Sequence, residues 1–106
     1  MKKIKNIAIL ISGTGTNAVK IMEYFYLKNK ANVSLIISHK DNNWIESQCT
    51  KFGTEYLFTN HNKLSDSEYL HNLMLNKKID LIVLAGYLKK IPAEFIDLYP
   101  QKIINI

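Results

Sequence analysis

Residues 4–17 of this 106-residue chain read IKNIAILISGTGTN, and this stretch decides the fold. Its first part is an almost unbroken apolar run rich in isoleucine, which is typical of a strand buried on both faces of a parallel sheet. Its second part is a turn with two glycines, Gly13 and Gly15, and apolar residues at helical spacing come next. The stretch therefore predicts a strand, a tight turn and a helix.

Apolar runs alternate with helical patterns along the rest of the chain, which predicts a doubly wound parallel α/β sheet with right-handed crossovers. In such a sheet ligands bind beyond the carboxyl ends of the strands, so the loops after Ile11, after Leu84 and after the last strand form the candidate site. The small pair Ala85 and Gly86 would let a flat ligand approach the backbone there. The predicted strands are residues 4–11, 33–38, 55–59, 80–84 and 102–106.

Capping residues predict where the later helices begin. Asp41, Asn42 and Asn43 are candidate N-caps of the second helix, and Asn43 with Glu46 resembles the capping-box pattern. Ser65 with Glu68 matches that pattern again. Pro92 suits the first turn of the last helix, because its missing N–H has no partner to lose at that position. Four helices between five strands are therefore expected.

Composition excludes several classes of protein. Hydrophobic residues make up 47% and charged residues 22%, which are globular values and not those of a disordered chain. No apolar stretch approaches the roughly 18 residues of a membrane span, and no signal-peptide cleavage pattern follows the first apolar run, so we expect a cytoplasmic protein. The net charge of +5 comes from scattered lysines without any arginine, which does not favour nucleic-acid binding.

The glycine turn after the first strand is the strongest chemical signal in the sequence. Glycines bring backbone N–H groups close to a ligand, and Thr16 and Asn17 are candidates to cap the helix that follows. The start of that helix offers N–H donors and a partial positive charge, which together suit a phosphate group. A tight strand–helix connection that binds no ligand is the alternative interpretation.

A dinucleotide-binding fingerprint competes with this interpretation. Gly13, Gly15 and Ala18 have its spacing, but the acidic residue expected after the second strand is missing. Residues 38–40 read SHK there, which disfavours NAD and leaves NADP as an alternative, with Lys40 facing its 2′-phosphate.

The remaining reactive side chains predict no metal site and no nucleophile. His39 follows a predicted strand at its carboxyl end and is expected to be a surface loop residue, with contact to a ligand as the alternative. No spacing among the histidines suits a metal ion, and the single cysteine has no partner at metal-ligand spacing. Cys49 falls on the apolar stripe of a helix, which predicts a buried structural thiol. Asp80 begins a strand at the edge away from the candidate site and is expected to be structural.

Three segments together resemble the phosphoribosylglycinamide formyltransferases, a folate-dependent family of purine synthesis. They are residues 9–17 (ILISGTGTN), residues 80–91 (DLIVLAGYLKKI) and residues 102–106 (KIINI). The resemblance implies that residues 1–106 are a single mononucleotide-binding domain, the N-terminal half of a Rossmann-like formyltransferase. It also implies transfer of a formyl group from 10-formyltetrahydrofolate to the amine of a phosphoribosylated glycinamide, without a metal.

The resemblance implies binding and catalytic roles for individual residues of this chain. The substrate phosphate would bind at Gly15, Thr16 and Asn17. The folate would bind at Leu88, Lys89, Lys90, Ile91 and Asn105. Asn105 also matches the catalytic asparagine of the family, whose side-chain amide can donate to a developing oxyanion.

The histidine and the aspartate that complete the family's catalytic site would fall beyond residue 106. The resemblance therefore predicts that this chain is truncated at its C-terminus and inactive alone. The alternative is a stand-alone nucleotide-, phosphate- or NADP-binding module, or another folate-dependent formyltransferase or hydrolase. Small molecules are the expected partners, with no nucleic acid and no membrane, and a homodimer would cover the exposed sheet edge.

Overall fold

The computed structural model describes residues 4–87 and 89–106 of the chain. Five parallel strands form one sheet in the order β3-β2-β1-β4-β5. The strands are β1 (Lys5–Ile11), β2 (Ala31–Ser38), β3 (Glu55–Phe58), β4 (Leu81–Ala85) and β5 (Ile103–Asn105). The helices are α1 (Thr16–Lys28), α2 (Asn43–Phe52), α3 (His61–Leu64), α4 (Ser67–Asn76) and α5 (Ala93–Leu98).

The sheet separates two hydrophobic clusters, and β1 contributes to both of them. Ile7, Ile9 and Ile11 pack with α1 and α2 on one face. Ala8 and Leu10 pack with α3, α4 and α5 on the other face. Because β1 is the central strand and is covered on both sides, all five side chains are buried, which explains its unbroken apolar run. The predicted doubly wound parallel sheet is confirmed.

Both predicted capping boxes are wrong by one residue. Asn42, not Asn43, caps α2, and its side chain accepts a hydrogen bond from the N–H of Ile45. Asp66, not Ser65, caps α4 by accepting from the N–H groups at the second and third positions of that helix. Each cap stands in a run of polar residues that can all cap. Ser65 already ends α3, and the side chain of Asn42 is held by bonds to the turn after β1.

The structure adds a helix that the sequence did not predict. The single turn α3 begins after Asn60, whose side chain caps it, and Ser65 ends it.

Pro92 was predicted to lie in the first turn of the last helix, but it precedes α5, with φ −58° and ψ 134°. Within the described part of the chain, no helix is both long and apolar enough to cross a membrane.

Asp80 has the structural position that the sequence predicts, at the amino end of the sheet. The N–H of Asn6 donates to its carboxylate at 2.8 Å, and its own N–H donates to the carbonyl of Asn6 at 2.8 Å. These two bonds fix β4 beside β1 at the end of the sheet that is farthest from the candidate site. The register that follows carries Ile11 and Ala85 to the same level at the opposite end.

Candidate functional site

The turn after β1 leads directly into α1. Gly15 is the N-cap residue, with φ 85°, and its carbonyl accepts from the N–H of Val19 at 3.0 Å. Among the described residues no side chain caps this helix, so the prediction that Thr16 and Asn17 provide the cap is wrong. They are instead the first two residues of α1, and both are exposed. Since the first N–H groups of a helix have no partner within the helix, they are available to a ligand.

Gly15 is required by its backbone conformation and by its contacts. Its φ lies in the left-handed region, which other residues rarely adopt. A Cβ atom at this position would stand 2.6 Å from Cγ1 of Ile45 and 3.2 Å from Cδ1 of Ile11. The turn is therefore packed directly onto α2 and the end of β1. Gly13 has neither constraint, since its φ is outside that region and a Cβ atom would meet nothing within 4 Å.

Asn42 ties the same turn to the start of α2. While its Oδ1 atom caps α2, its Nδ2 atom donates to the carbonyls of Gly13, at 3.3 Å, and Thr14, at 3.2 Å. Its own N–H donates to the hydroxyl of Tyr56 at 3.0 Å. The sequence showed Asn42 only as one of several capping candidates, because nothing in a local pattern shows a bond to a turn 28 residues away.

A cavity of about 160 Å³ lies between the first turn and the end of β4. Residues 13–17 form one side of it, and Ala85 and Gly86 form the other. Two of the three loops that the sequence predicted at the carboxyl edge thus line one cavity. A larger, open cavity of about 560 Å³ lies on the other side of the turn, where Lys40 and Trp44 contribute to its wall.

The loop after β4 combines buried anchors with exposed lysines. Gly86 has φ 68°, and Tyr87 and Ile91 are each only 7% exposed. Lys89 and Lys90, between these two anchors, are exposed. Leu88, which the family resemblance assigns to folate binding, lies outside the described residues.

Asn105 is the last residue of the edge strand β5. It pairs in register with Leu84, and the N–H of Ile106 donates to the Leu84 carbonyl at 3.0 Å. Its position brings it to the carboxyl edge, beside the loop that follows β4, and it is exposed. The carboxyl end of β5 therefore lies at the same edge as the other two loops.

His39 lies in the loop after β2, as the sequence predicted, but it is not fully exposed there. It is partly buried, and its Nε2 atom shares a hydrogen bond of 2.9 Å with Oγ of Ser12. Burial lowers the pKa of His39, and the nearby charges of Lys40, Lys89 and His61 lower it further. The imidazole is therefore neutral at physiological pH.

The structure supports the sequence prediction that Cys49 is a structural thiol. Cys49 is 1% exposed within the cluster beneath α1 and α2. Burial, with a smaller contribution from Glu46, raises the pKa of its thiol to about 11, so the nucleophilic thiolate is not formed at neutral pH. Within residues 4–87 and 89–106, no three His, Cys, Asp or Glu side chains are grouped closely enough to hold a metal ion.

Known proteins are similar to this chain in both sequence and fold. The chain is 31% identical over 112 residues to a phosphoribosylglycinamide formyltransferase of Haemophilus influenzae, and the match covers 97% of the chain and 51% of that relative. It is 29% identical over 91 residues to a formyltetrahydrofolate deformylase of the same organism, with 81% of the chain and 31% of the relative covered. The chain spans about half the length of the first of these relatives, or less for the second.

A solved structure and a family model agree with these matches. The crystal structure of a phosphoribosylglycinamide formyltransferase from Anaplasma phagocytophilum superimposes with a TM-score of 0.82 at 25% identity, over 97% of this chain and 49% of that one. The model of a family described as formyl transferase matches residues 5–106, which is nearly the whole chain. The glycine turn, the loop after β4 and the strand β5 all lie within that match, and the chain belongs to the formyl transferase family.

Proposed function

We propose that this chain forms the substrate-phosphate-binding part of a phosphoribosylglycinamide formyltransferase. Such an enzyme transfers a formyl group from 10-formyltetrahydrofolate to the amine of phosphoribosylglycinamide, in the synthesis of purines. One observation carries the proposal: the start of α1, which no described side chain caps, opens into the cavity that the first turn shares with the end of β4.

The phosphate of the substrate binds at Gly15, Thr16 and Asn17 in this proposal. The N–H groups at the start of α1 donate to its oxygens, and the partial positive charge of the helix end favours its negative charge. Three features support a rigid turn in advance of binding: the left-handed Gly15, its close packing on Ile45 and the bonds from Asn42. A rigid turn loses little conformational freedom when the ligand arrives.

The folate binds along the loop after β4, at Leu88, Lys89, Lys90 and Ile91. The burial of Tyr87 and Ile91 holds both ends of this segment against the core, so its backbone groups can face a flat ring. The exposed ammonium groups of Lys89 and Lys90 suit an anionic ligand.

Asn105 is the catalytic residue of the proposal. When the amine attacks the formyl carbon, negative charge develops on the formyl oxygen, and the side-chain amide of Asn105 donates a hydrogen bond to that oxygen. Loss of one such donor in other enzymes costs about 3 kcal/mol in the transition state. Its place on β5, level with Leu84, lies beside the loop assigned to the folate.

The roles proposed for the phosphate-binding turn, the folate loop and Asn105 do not include proton transfer to or from the reacting groups. General acid–base help contributes about 10²- to 10⁴-fold in enzymes. We therefore propose that residues 1–106 act as a single domain that binds the substrates, and that full turnover needs a proton donor in addition to these residues.

Calorimetric titration of the chain with phosphoribosylglycinamide, ribose 5-phosphate and NADP tests the proposal. We expect both ribose phosphates to bind, and Asn17→Asp to weaken them at least about tenfold, because a carboxylate in the first turn of α1 repels the phosphate. Asn72→Asp is the matched control, since Asn72 is exposed on α4, away from the cavity. Tighter binding of NADP than of either ribose phosphate would overturn the proposal.

The match to a formyltetrahydrofolate deformylase supports a second candidate, hydrolysis of the same folate. In that reaction water accepts the formyl group, so no phosphate site is needed. The same titration, extended with 10-formyltetrahydrofolate, separates the two candidates. A chain that binds formyl-folate but no ribose phosphate would be assigned to the hydrolase.

The proposal includes further properties that were expected from the sequence. The partners are small molecules, without nucleic acid, membrane or metal, and the compartment is the cytoplasm. A homodimer that covers the edge of β5 is also part of the proposal. Sedimentation equilibrium checks the dimer, and a monomer at all concentrations would contradict it.

A further inference from the structure

His39 lies between the two loops to which the proposed function assigns its substrates. Its Nε2 atom shares a 2.9 Å hydrogen bond with Oγ of Ser12, the residue that joins β1 to the glycine turn. Its ring also meets the ring of Tyr87 nearly edge-on, with centroids 5.8 Å apart and planes at 84°. Ser12 and Tyr87 are both buried. One side chain therefore contacts the first residue of the turn and the first anchor of the loop after β4.

The sheet explains why His39 can reach both loops. Ile11 pairs with Ser38 of β2 on one side and with Ala85 of β4 on the other, so the three strands end at the same level. Ser38 fixes the direction of the chain after β2, since its hydroxyl donates to the carbonyl of Lys40 and accepts from the N–H of the same residue. The imidazole is held over the end of β1 by this arrangement.

We infer that His39 is a positioning residue that holds the phosphate-binding turn in register with the loop after β4. The inference rests on the proposed function, because it concerns the relative position of the phosphate and folate sites. Transfer between two bound substrates depends strongly on their separation and orientation, so a residue that fixes both loops controls the reacting geometry. His39 itself touches neither substrate in this scheme.

Substitutions of His39 that differ in side-chain length and in hydrogen-bonding atoms test the importance of the bond to Ser12. A glutamine amide reaches about as far as Nε2 of histidine and can both donate and accept, so His39→Gln preserves the bond whichever tautomer the imidazole has. An asparagine amide is shorter by one methylene and lies where Nδ1 was. Phenylalanine keeps a ring against Tyr87 but has no hydrogen-bonding atom.

Ribose 5-phosphate is the probe, titrated into the wild-type chain and the variants at neutral pH. We expect His39→Phe and His39→Asn to weaken its binding about threefold to tenfold, which corresponds to one lost hydrogen bond, and His39→Gln to stay within about twofold of the wild type. His71→Phe is the matched control, because His71 lies on α4 beside Tyr99 and should not affect binding. Unfolding midpoints show that each variant is folded.

A second measurement tests the ring contact between His39 and Tyr87. Tyr87 does not line the cavity of the glycine turn. We expect the Tyr87 ring signals in NMR spectra to shift when ribose 5-phosphate binds to the wild type. His39→Gln should bind the probe and lose this shift, because it has no ring to transmit the change. A merely structural histidine would not separate the two readouts in this way.

The outcomes distinguish the inference from the proposed function on which it rests. If the wild type does not bind ribose 5-phosphate, the proposed function fails, and the inference fails with it. If the wild type binds, and His39→Phe and His39→Asn bind equally well, only the inference fails. It also fails if Tyr87 shifts in His39→Gln as much as in the wild type.

Discussion

Ile45 of α2 packs so closely beneath Gly15 that a Cβ atom on the glycine would lie 2.6 Å from Cγ1 of the isoleucine. The contact joins the start of α1 to the start of α2, which are neighbours on one face of the sheet. The conformation of the glycine turn therefore depends on a side chain 30 positions later in the chain, and not only on the turn itself.

The first prediction concerns this contact. Gly15→Ala should lower the free energy of unfolding by about 2–5 kcal/mol, because alanine resists a left-handed backbone and its methyl group overlaps Ile45. Chemical denaturation measures the change. Gly13→Ala is the matched control and should stay within about 0.5 kcal/mol of the wild type, since a Cβ atom there meets nothing. Equal effects of the two substitutions would contradict the packing.

The second prediction separates the two roles of Asn42. Asn42→Asp should keep the cap of α2, because aspartate caps as well as asparagine, and should leave the unfolding free energy within about 1 kcal/mol. A carboxylate cannot donate to the carbonyls of Gly13 and Thr14, and its charge opposes an anion at the turn. We therefore expect ribose 5-phosphate to bind at least about tenfold more weakly.

Asn60→Asp is the control for this substitution. Asn60 caps α3 through the same kind of bond, from the N–H of Lys63 at 2.9 Å, but it has no contact with the glycine turn. Its variant should bind the probe as the wild type does. Loss of binding in both variants would show that the bonds of Asn42 to the turn are not the cause.

The third prediction is a pH dependence of stability that originates at His39. Burial and the charges of Lys40, Lys89 and His61 hold the pKa of His39 below its ordinary value of 6.5, so below that pH the unfolded chain takes up this proton more readily than the folded chain. The stability from this group is complete above about pH 6.5 and is lost as the pH falls through the pKa of the folded state. The difference in unfolding free energy between about pH 7.5 and pH 5.5 should be smaller in His39→Gln.

The fourth prediction concerns the thiol of Cys49. With 1% exposure and a pKa of about 11, it should resist alkylation by iodoacetamide at about pH 8 in the folded protein and react readily in concentrated urea. Mass spectrometry measures the labelled fraction. Fast labelling without urea would mean that α2 separates from the sheet in the native state.

The sequence predicted the elements that depend on local patterns. The isoleucine run of β1 indicated a strand covered on both faces, because only a central parallel strand needs apolar residues on both sides. The alternation of strand and helix then placed the carboxyl edge, and with it the loops that line the cavity of the glycine turn.

Contacts between distant residues explain what the sequence did not predict. His39 was predicted as a loop residue, but its bond to Ser12, 27 positions away, has no local signal in the sequence. The capping boxes at Asn43 and Ser65 were displaced by one residue, because neighbouring polar side chains compete to cap. Asn42 is held by its bonds to the glycine turn, and Ser65 already ends α3. The single turn α3 is too short to show a period of its own.

The pairing of β1 with β4 has a consequence for the synthesis of this protein. The bond between Asn6 and Asp80 spans 74 positions, and at about 5–20 residues per second a ribosome needs about 4–15 seconds to add them. During that interval β2 can dock on one edge of β1, while the backbone N–H and C=O groups of the other edge stay unpaired and can bind a strand of another chain. We therefore expect the yield of folded protein in cells to depend on chaperones and growth temperature more than on the stability of the finished molecule.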